Sequence, residues 1–215
     1  MKTKNLFLAP LLLFSAIIYS RPEIYHGGHK SSSMTPEALL SAGSALDSMG
    51  NYDKALKKFD KAIELKPNYA EAFNARGMVW FKKQHLENAM KDFTHAIELK
   101  PDYADAYFNR GLLKNELEDF RSAVLDLGKS IALNPKDARA YNFRGLIRGR
   151  AGDHVGEIED YTKAISIKPD YAEAYHNRGH AKFLASDKNG ACEDFSKAGE
   201  FGYFKSYEDI KEMCK

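Results

Sequence analysis

Between residues 36 and 205 the apolar positions recur three to four residues apart, in stretches separated by polar breaks. That spacing predicts amphipathic helices. The stretches come in pairs, and the pairs repeat with a period of 34 residues. Pro67, Pro101, Pro135 and Pro169 mark the period, as do Gly43, Gly77, Gly111, Gly145 and Gly179. Five blocks result: 36–69, 70–103, 104–137, 138–171 and 172–205. Position 4 of the block is Leu39, Phe73, Tyr107, Tyr141 and Tyr175; position 24 is Phe59, Phe93, Leu127, Tyr161 and Phe195. Position 20 is Ala55, Ala89, Ala123, Glu157 and Ala191; position 27 is Ala62, Ala96, Ser130, Ala164 and Ala198.

Each block is expected to form one helix over about positions 2–14 and a second over about positions 17–30. Breaks such as Gly50-Asn51 and Gly152-Asp153 end the first helix and cap the second. The proline near position 32 stops the second helix, because it donates no hydrogen bond and clashes with the preceding turn. Glycine at position 8 is costly inside a helix, by roughly 1 kcal/mol against alanine. Its recurrence predicts close approach of two helices, with the bulky residue at position 24 filling the space.

This pattern closely resembles the tetratricopeptide repeat (TPR) family over residues 36–205. The resemblance implies an all-α fold: a right-handed solenoid of five helix-turn-helix repeats, the first helix of each lining a concave groove. Departures are local. Position 20 is Glu157 in the fourth block, and position 11, Trp80 in the second, is Lys114, Arg148 and Lys182 later. The fifth block has Tyr203 where the others have proline.

The chain before the repeats has a different character. Lys2 and Lys4 precede an apolar run from Leu6 to Tyr19, and Ser20 offers a small residue at a cut before Arg21. Residues 1–20 are therefore expected to be a secretory signal peptide. A membrane anchor fits less well: the run of 14 residues makes only roughly 21 Å of helix, short of a ~30 Å hydrocarbon core. Pro10 would also disturb it. Residues 21–35, with a Gly-Gly and a Ser-Ser-Ser run, read as a flexible linker, and His26 and His29 within it lack the further ligands of a metal site.

Composition narrows the function. The 215 residues carry 32 Lys+Arg and 30 Asp+Glu. Without Lys2 and Lys4 the two signs balance, which argues against a nucleic-acid binder. Aromatic residues at 12% exclude a wholly disordered chain.

Two charges travel together through the repeats. Position 7 is Arg76, Arg110, Arg144 and Arg178, and position 23 is Asp92, Asp126, Asp160 and Asp194. The first block has neither, carrying Ala42 and Lys58 instead. A structural salt bridge within each repeat is expected. The alternative, Asp92 with Arg110 across a boundary, would leave Arg76 facing Lys58.

A solenoid needs a cap with a polar outer side. Residues 204–215 supply one, with Tyr207, Ile210 and Cys214 on one face and Lys205, Glu208, Asp209 and Lys211 away from it. With Tyr207 set at position 4, Cys214 falls late in this helix, while Cys192 falls early in the preceding one. In antiparallel helices those ends meet, so a Cys192–Cys214 disulfide is expected in an exported chain.

The resemblance places positions 2, 5, 6, 9, 12 and 13 of each first helix on the concave side. The expected peptide-binding residues are Asn74, Met78, Phe81, Phe108, Asn109, Leu112, Asn142, Phe143, Leu146, His176, Asn177 and His180. An asparagine recurs once in each of the second to fifth repeats, and its amide can both donate to and accept from an extended peptide backbone. The other reading is that these asparagines tie neighbouring helices together. The Lys, Asn and Arg clamp for a C-terminal carboxylate, known in some members of the family, is absent: Leu40, Ser44 and Asp105 stand there.

His176 and His180 have the i, i+4 spacing of a zinc chelate, but no third ligand is evident beside them, so no metal or other cofactor is expected. No nucleophile–base set or glycine-rich phosphate loop points to an enzyme. The sequence thus predicts an exported, periplasmic or extracellular TPR scaffold that binds a protein or peptide segment. A self-associating structural solenoid, and a small-ligand or metal binder through His176 and His180, are the alternatives.

Overall fold

The computed structural model describes residues 34–215. The expected signal peptide, and the linker with His26 and His29 except for its last two residues, lie outside the described residues. Thr35, the last linker residue, caps the first helix by accepting a hydrogen bond from the Ala38 amide at 3.2 Å.

The described residues form α1 (Pro36–Ser48), α2 (Tyr52–Leu65), α3 (Ala70–Lys82), α4 (Leu86–Leu99), α5 (Ala104–Glu116), α6 (Phe120–Leu133), α7 (Ala138–Arg150), α8 (His154–Ile167), α9 (Ala172–Leu184), α10 (Lys188–Glu200) and α11 (Ser206–Met213). Among the described residues there is no strand. Each odd-numbered helix from α1 to α9 packs along the next even-numbered one as a hairpin, and each hairpin packs on its successor. Contacts also recur along the row α1, α3, α5, α7 and α9, with no comparable series between successive second helices. The first helices therefore lie on the inside of the curve.

The turn inside each hairpin has one geometry. Position 15 is left-handed in all five repeats, with φ from 58° at Glu118 to 86° at Gly152. Glycine takes that conformation freely at Gly50 and Gly152, whereas Gln84, Glu118 and Ser186 adopt it at a cost of about 1 kcal/mol each. Asp119, Asp153 and Asp187 follow it and cap the second helix through the amides of Ser122, Gly156 and Gly190.

The core is a series of small clusters, one set per repeat junction. Ala55, Leu56 and Phe59 meet Val79; Ala89 and Phe93 meet Leu113; Ala123, Leu127 and Ile131 meet Phe108, Ala140 and Ile147. The glycines at position 8 lie against the position-24 side chains. A β-carbon on Gly77 would sit 2.7 Å from Phe93 Cε1, and one on Gly179 would sit 2.7 Å from Phe195 Cε1. We expect Gly77→Ala to destabilise the protein by about 1–3 kcal/mol despite alanine's better helix propensity. Gly128→Ala, whose nearest neighbour would be Arg144 Nη1 at 3.8 Å, should stabilise it by up to about 1 kcal/mol. Urea midpoints of the two variants check both signs.

Glu157 fits because its neighbours give way. Gly149 leaves the space its carboxylate fills, Tyr161 Oη lies 3.4 Å from Oε1, and His154 Nδ1 lies 3.1 Å from Oε2.

The cap departs from the expected face. Ser206 and Asp209 are buried on α11, with Ile210 and Met213 half-buried, whereas Tyr207 lies half-exposed over Gly199. Asp209, expected on the outer side, is an inward residue. With Tyr207 at position 4, Asp209 falls at position 6, the place from which Asn109 and Asn177 reach back to the preceding first helix.

Candidate functional site

Behind the inner row, buried ion pairs join first helices to second helices. Arg76 donates from Nε to Asp92 Oδ2 at 2.9 Å and from Nη2 to Oδ1 at 2.7 Å. The same two-pronged geometry joins Arg110 to Asp126 (2.8 and 2.9 Å), Arg144 to Asp160 and Arg178 to Asp194 (both 2.8 and 2.7 Å). All four lie within a repeat, linking first helix to second. The hydrogen bonds to Asp92 hold the Arg76 guanidinium above its ordinary pKa against the opposing effect of burial.

Position 11 now has a role. Lys114 reaches Asp126 Oδ2 at 2.7 Å, Arg148 reaches Asp160 Oδ2 at 3.1 Å, and Lys182 reaches Asp194 Oδ2 at 2.9 Å. Each of these aspartates sits between two cations. In the second repeat, where position 11 is Trp80, Arg76 instead extends to Asp60 at 2.7 Å.

The asparagines correct the expected groove. Asn109 donates to Asn74 Oδ1 at 2.9 Å, and Asn177 donates to Asn142 Oδ1 at 3.1 Å. Asn74 in turn donates to Tyr103 Oη at 3.3 Å, and Asn142 to Glu173 Oε1 at 3.4 Å. Asn142 is fully buried, and Asn74 and Asn109 nearly so. Their amides tie first helix to first helix, and the buried ones, Asn74, Asn109 and Asn142, are turned away from a peptide backbone, while Asn177 is half-buried. Burial pushes the Tyr103 phenol up to about 12, keeping it a neutral partner. Phe108 is also buried, edge to face with Phe143 at 5.5 Å and beneath the Arg139 guanidinium at 5.1 Å.

What remains on the surface is an apolar strip. Met78 and Phe81 on α3, Leu112 on α5, and Phe143 and Leu146 on α7 are all half-buried. Polar groups flanking it pair across repeats: Lys82 with Asp47 at 2.8 Å, Lys100 with Glu71 at 2.8 Å, and Arg150 with Asn115 at 3.1 Å. The strip therefore offers contact area with little net charge.

At its C-terminal end His176 is buried and His180 half-exposed. Their rings meet edge to face at 4.6 Å, and His176 packs on Tyr203 at 4.4 Å. Burial, reinforced by His180, pushes His176 down to about 4, with Asp209 opposing. Asp209 Oδ2 lies 3.4 Å from His176 Nδ1 and 3.6 Å from His180 Nε2. This third group was invisible in the sequence because it lies 29 residues beyond His180, on another helix. Cys192 on α10 and Cys214, just after α11, are bonded as a disulfide.

These features define a class: an α-solenoid of helix pairs closed by a shorter capping helix. A family model described as "TPR repeat" matches residues 43–84, 79–117 and 158–184, and one described as "Tetratricopeptide repeat" matches residues 104–137. Together they cover more than half of the sequence. The chain belongs to the tetratricopeptide repeat family. No curated protein matches it significantly over its sequence. Among solved structures, MamA is similar with 28% identity and a TM-score of 0.68, over 77% of this chain and 96% of that one. YrrB, described as a TPR protein with an unusual peptide-binding site, is similar with 22% identity and a TM-score of 0.65, over 81% and 91%. The pilF protein of Pseudomonas aeruginosa is similar with 18% identity and a TM-score of 0.74, over 78% and 76%.

Proposed function

We propose that this protein is a non-catalytic adaptor that holds an extended, largely apolar peptide segment of a partner protein against its inner side. The observation that carries this reading is the strip formed by Met78, Phe81, Leu112, Phe143 and Leu146 on three successive first helices. Apolar side chains lining a preformed row of helices suit alternate side chains of an extended ligand. The paired charges on both flanks disfavour a strongly charged ligand. Beneath the strip, the Arg–Asp and Asn–Asn contacts keep the row rigid, so little ordering cost falls on binding. The peptide-binding site described for YrrB, which shares this fold, is consistent with the reading.

The adaptor is proposed to work outside the cytoplasm, in a bacterial periplasm or in the medium. Residues 1–20 supply the export signal. The Cys192–Cys214 bond supports this placement, because such bonds persist in oxidising compartments. Among the described residues, no helix is long and apolar enough to cross a membrane.

The test is a displayed library of extended peptides selected on the full chain, with affinities then measured by fluorescence anisotropy. Leu112→Glu combined with Leu146→Glu should weaken the selected peptides at least tenfold while the melting temperature stays within a few degrees. Peptides that bind the double variant as tightly as the wild type would place the interaction on another surface. N-terminal sequencing of the exported protein should begin at Arg21.

A further inference from the structure

We propose that His176, His180 and Asp209 form a binding site for one divalent transition-metal ion of the zinc class, which clamps the C-terminal cap to the last repeat. Elsewhere in the array, the place they occupy holds an amide pair. Asn142 in the fourth repeat and Asn177 in the fifth satisfy each other there, as do Asn74 and Asn109 two repeats earlier. At the junction with the cap, His176 stands in the place of Asn142, and Asp209 in the place of Asn177. An amide pair donates and accepts on both sides; a carboxylate only accepts.

Asp209 is 8% exposed, and its Oδ2 has no hydrogen-bond partner. A buried, unpartnered carboxylate oxygen is costly unless a cation meets it. The groups facing this one are two imidazole nitrogens, at 3.4 and 3.6 Å. One candidate ligand atom from each of the three residues can be chosen so that all lie within 4.8 Å of one another. Zinc–nitrogen and zinc–oxygen bonds of ~2.0–2.2 Å in a tetrahedron put neighbouring ligands ~3.3–3.6 Å apart. The two separations from Asp209 match that edge length.

The donor set also selects the ion. Two imidazoles and one carboxylate suit zinc and its neighbours, whereas magnesium and calcium favour all-oxygen shells. His176 and His180 share one face of α9 at i, i+4, and Ser206 Oγ, 3.1 Å from His176 Nδ1, would yield that nitrogen to the ion. The His180 side chain is 37% exposed, which gives the ion a way in and leaves a fourth position open to water. The site would join α9 to α11, while the disulfide anchors the end of α11 to α10.

The experiment is calorimetric titration of the full chain, stripped with EDTA and dialysed, with zinc chloride and, separately, magnesium chloride. One zinc should bind saturably and raise the melting temperature, and magnesium should do neither. His180→Ala and Asp209→Asn should each lower zinc affinity at least tenfold. A variant with His26 and His29 both changed to Ala should bind as the wild type does. Asp209→Asn should melt no lower than the wild type in EDTA, since it removes the orphaned charge. Cobalt should give the intense visible bands of a four-coordinate ion, lost on adding zinc. The proposal fails if zinc does not saturate at one equivalent, if Asp209→Asn binds as tightly as the wild type, or if binding depends on His26 and His29. Should His180→Ala not fold, a wild-type cobalt spectrum without four-coordinate bands would overturn the proposal by itself.

Discussion

Asp160→Ala should cost about 3–5 kcal/mol of stability. The side chain of Asp160 is 4% exposed and sits between Arg144, bound through two hydrogen bonds, and Arg148 at 3.1 Å. Removing it leaves two poorly hydrated guanidinium groups facing each other with no anion between them. The penalty is that of stranded buried charge, which exceeds the net worth of the intact pair. The complementary substitution behaves differently. Arg148→Ala leaves Asp160 gripped by Arg144 and should cost less than about 1 kcal/mol, the range of a partly exposed pair. Arg144→Ala should fall between the two, because Arg148 retains one contact with the carboxylate. Urea denaturation of the three variants, followed by circular dichroism, gives the order directly. An Asp160→Ala variant within 1 kcal/mol of the wild type would show that the pair contributes only as a surface contact does.

That ranking rests on features with very different visibility in the sequence. The joint presence of Arg76, Arg110, Arg144 and Arg178 with their aspartates, and their joint absence from the first block, point to a contact from the sequence alone. The glycine–aromatic contact was legible for a similar reason: a residue that costs helix stability recurs with a bulky partner at a fixed offset. The cations at position 11 looked instead like departures from the pattern. Their partner at position 23 was already assigned to another arginine, and only the packing shows that one carboxylate takes two cations. The asparagines show a sharper limit. Periodicity places Asn74, Asn109, Asn142 and Asn177 on the inner face, but not at a depth on that face. Depth depends on how closely successive first helices approach, which brings position 5 of one repeat beside position 6 of the next. The alternation of the asparagines between those two positions was the available clue. Asp209 was hidden further still. Its inward direction follows from its place at position 6 of the cap, beside position 5 of the last repeat, which the amphipathic pattern of α11 by itself does not show.

The same short cap makes the disulfide the second large determinant of stability. Alpha-helix α11 has only 8 residues, too few to persist without tertiary support. Two of the aromatic residues at the cap give that support poorly, since Phe204 is 75% exposed and Tyr207 half-exposed. Breaking the Cys192–Cys214 bond, which closes a separation of 22 residues, should cost roughly 3 kcal/mol in the chain-entropy description. The protein unfolded without reductant should titrate no free thiol. With both cysteines changed to Ala, the loss should be local, because each repeat in a solenoid couples chiefly to its neighbours. Amide exchange should therefore accelerate in α9, α10 and α11 and remain near wild type in α3 to α6. If exchange instead rose evenly through the array, the cap would be part of one cooperative unit. If the reduced protein melted at the wild-type temperature, the packing of Ser206, Asp209 and Ile210 alone would be enough to hold the cap.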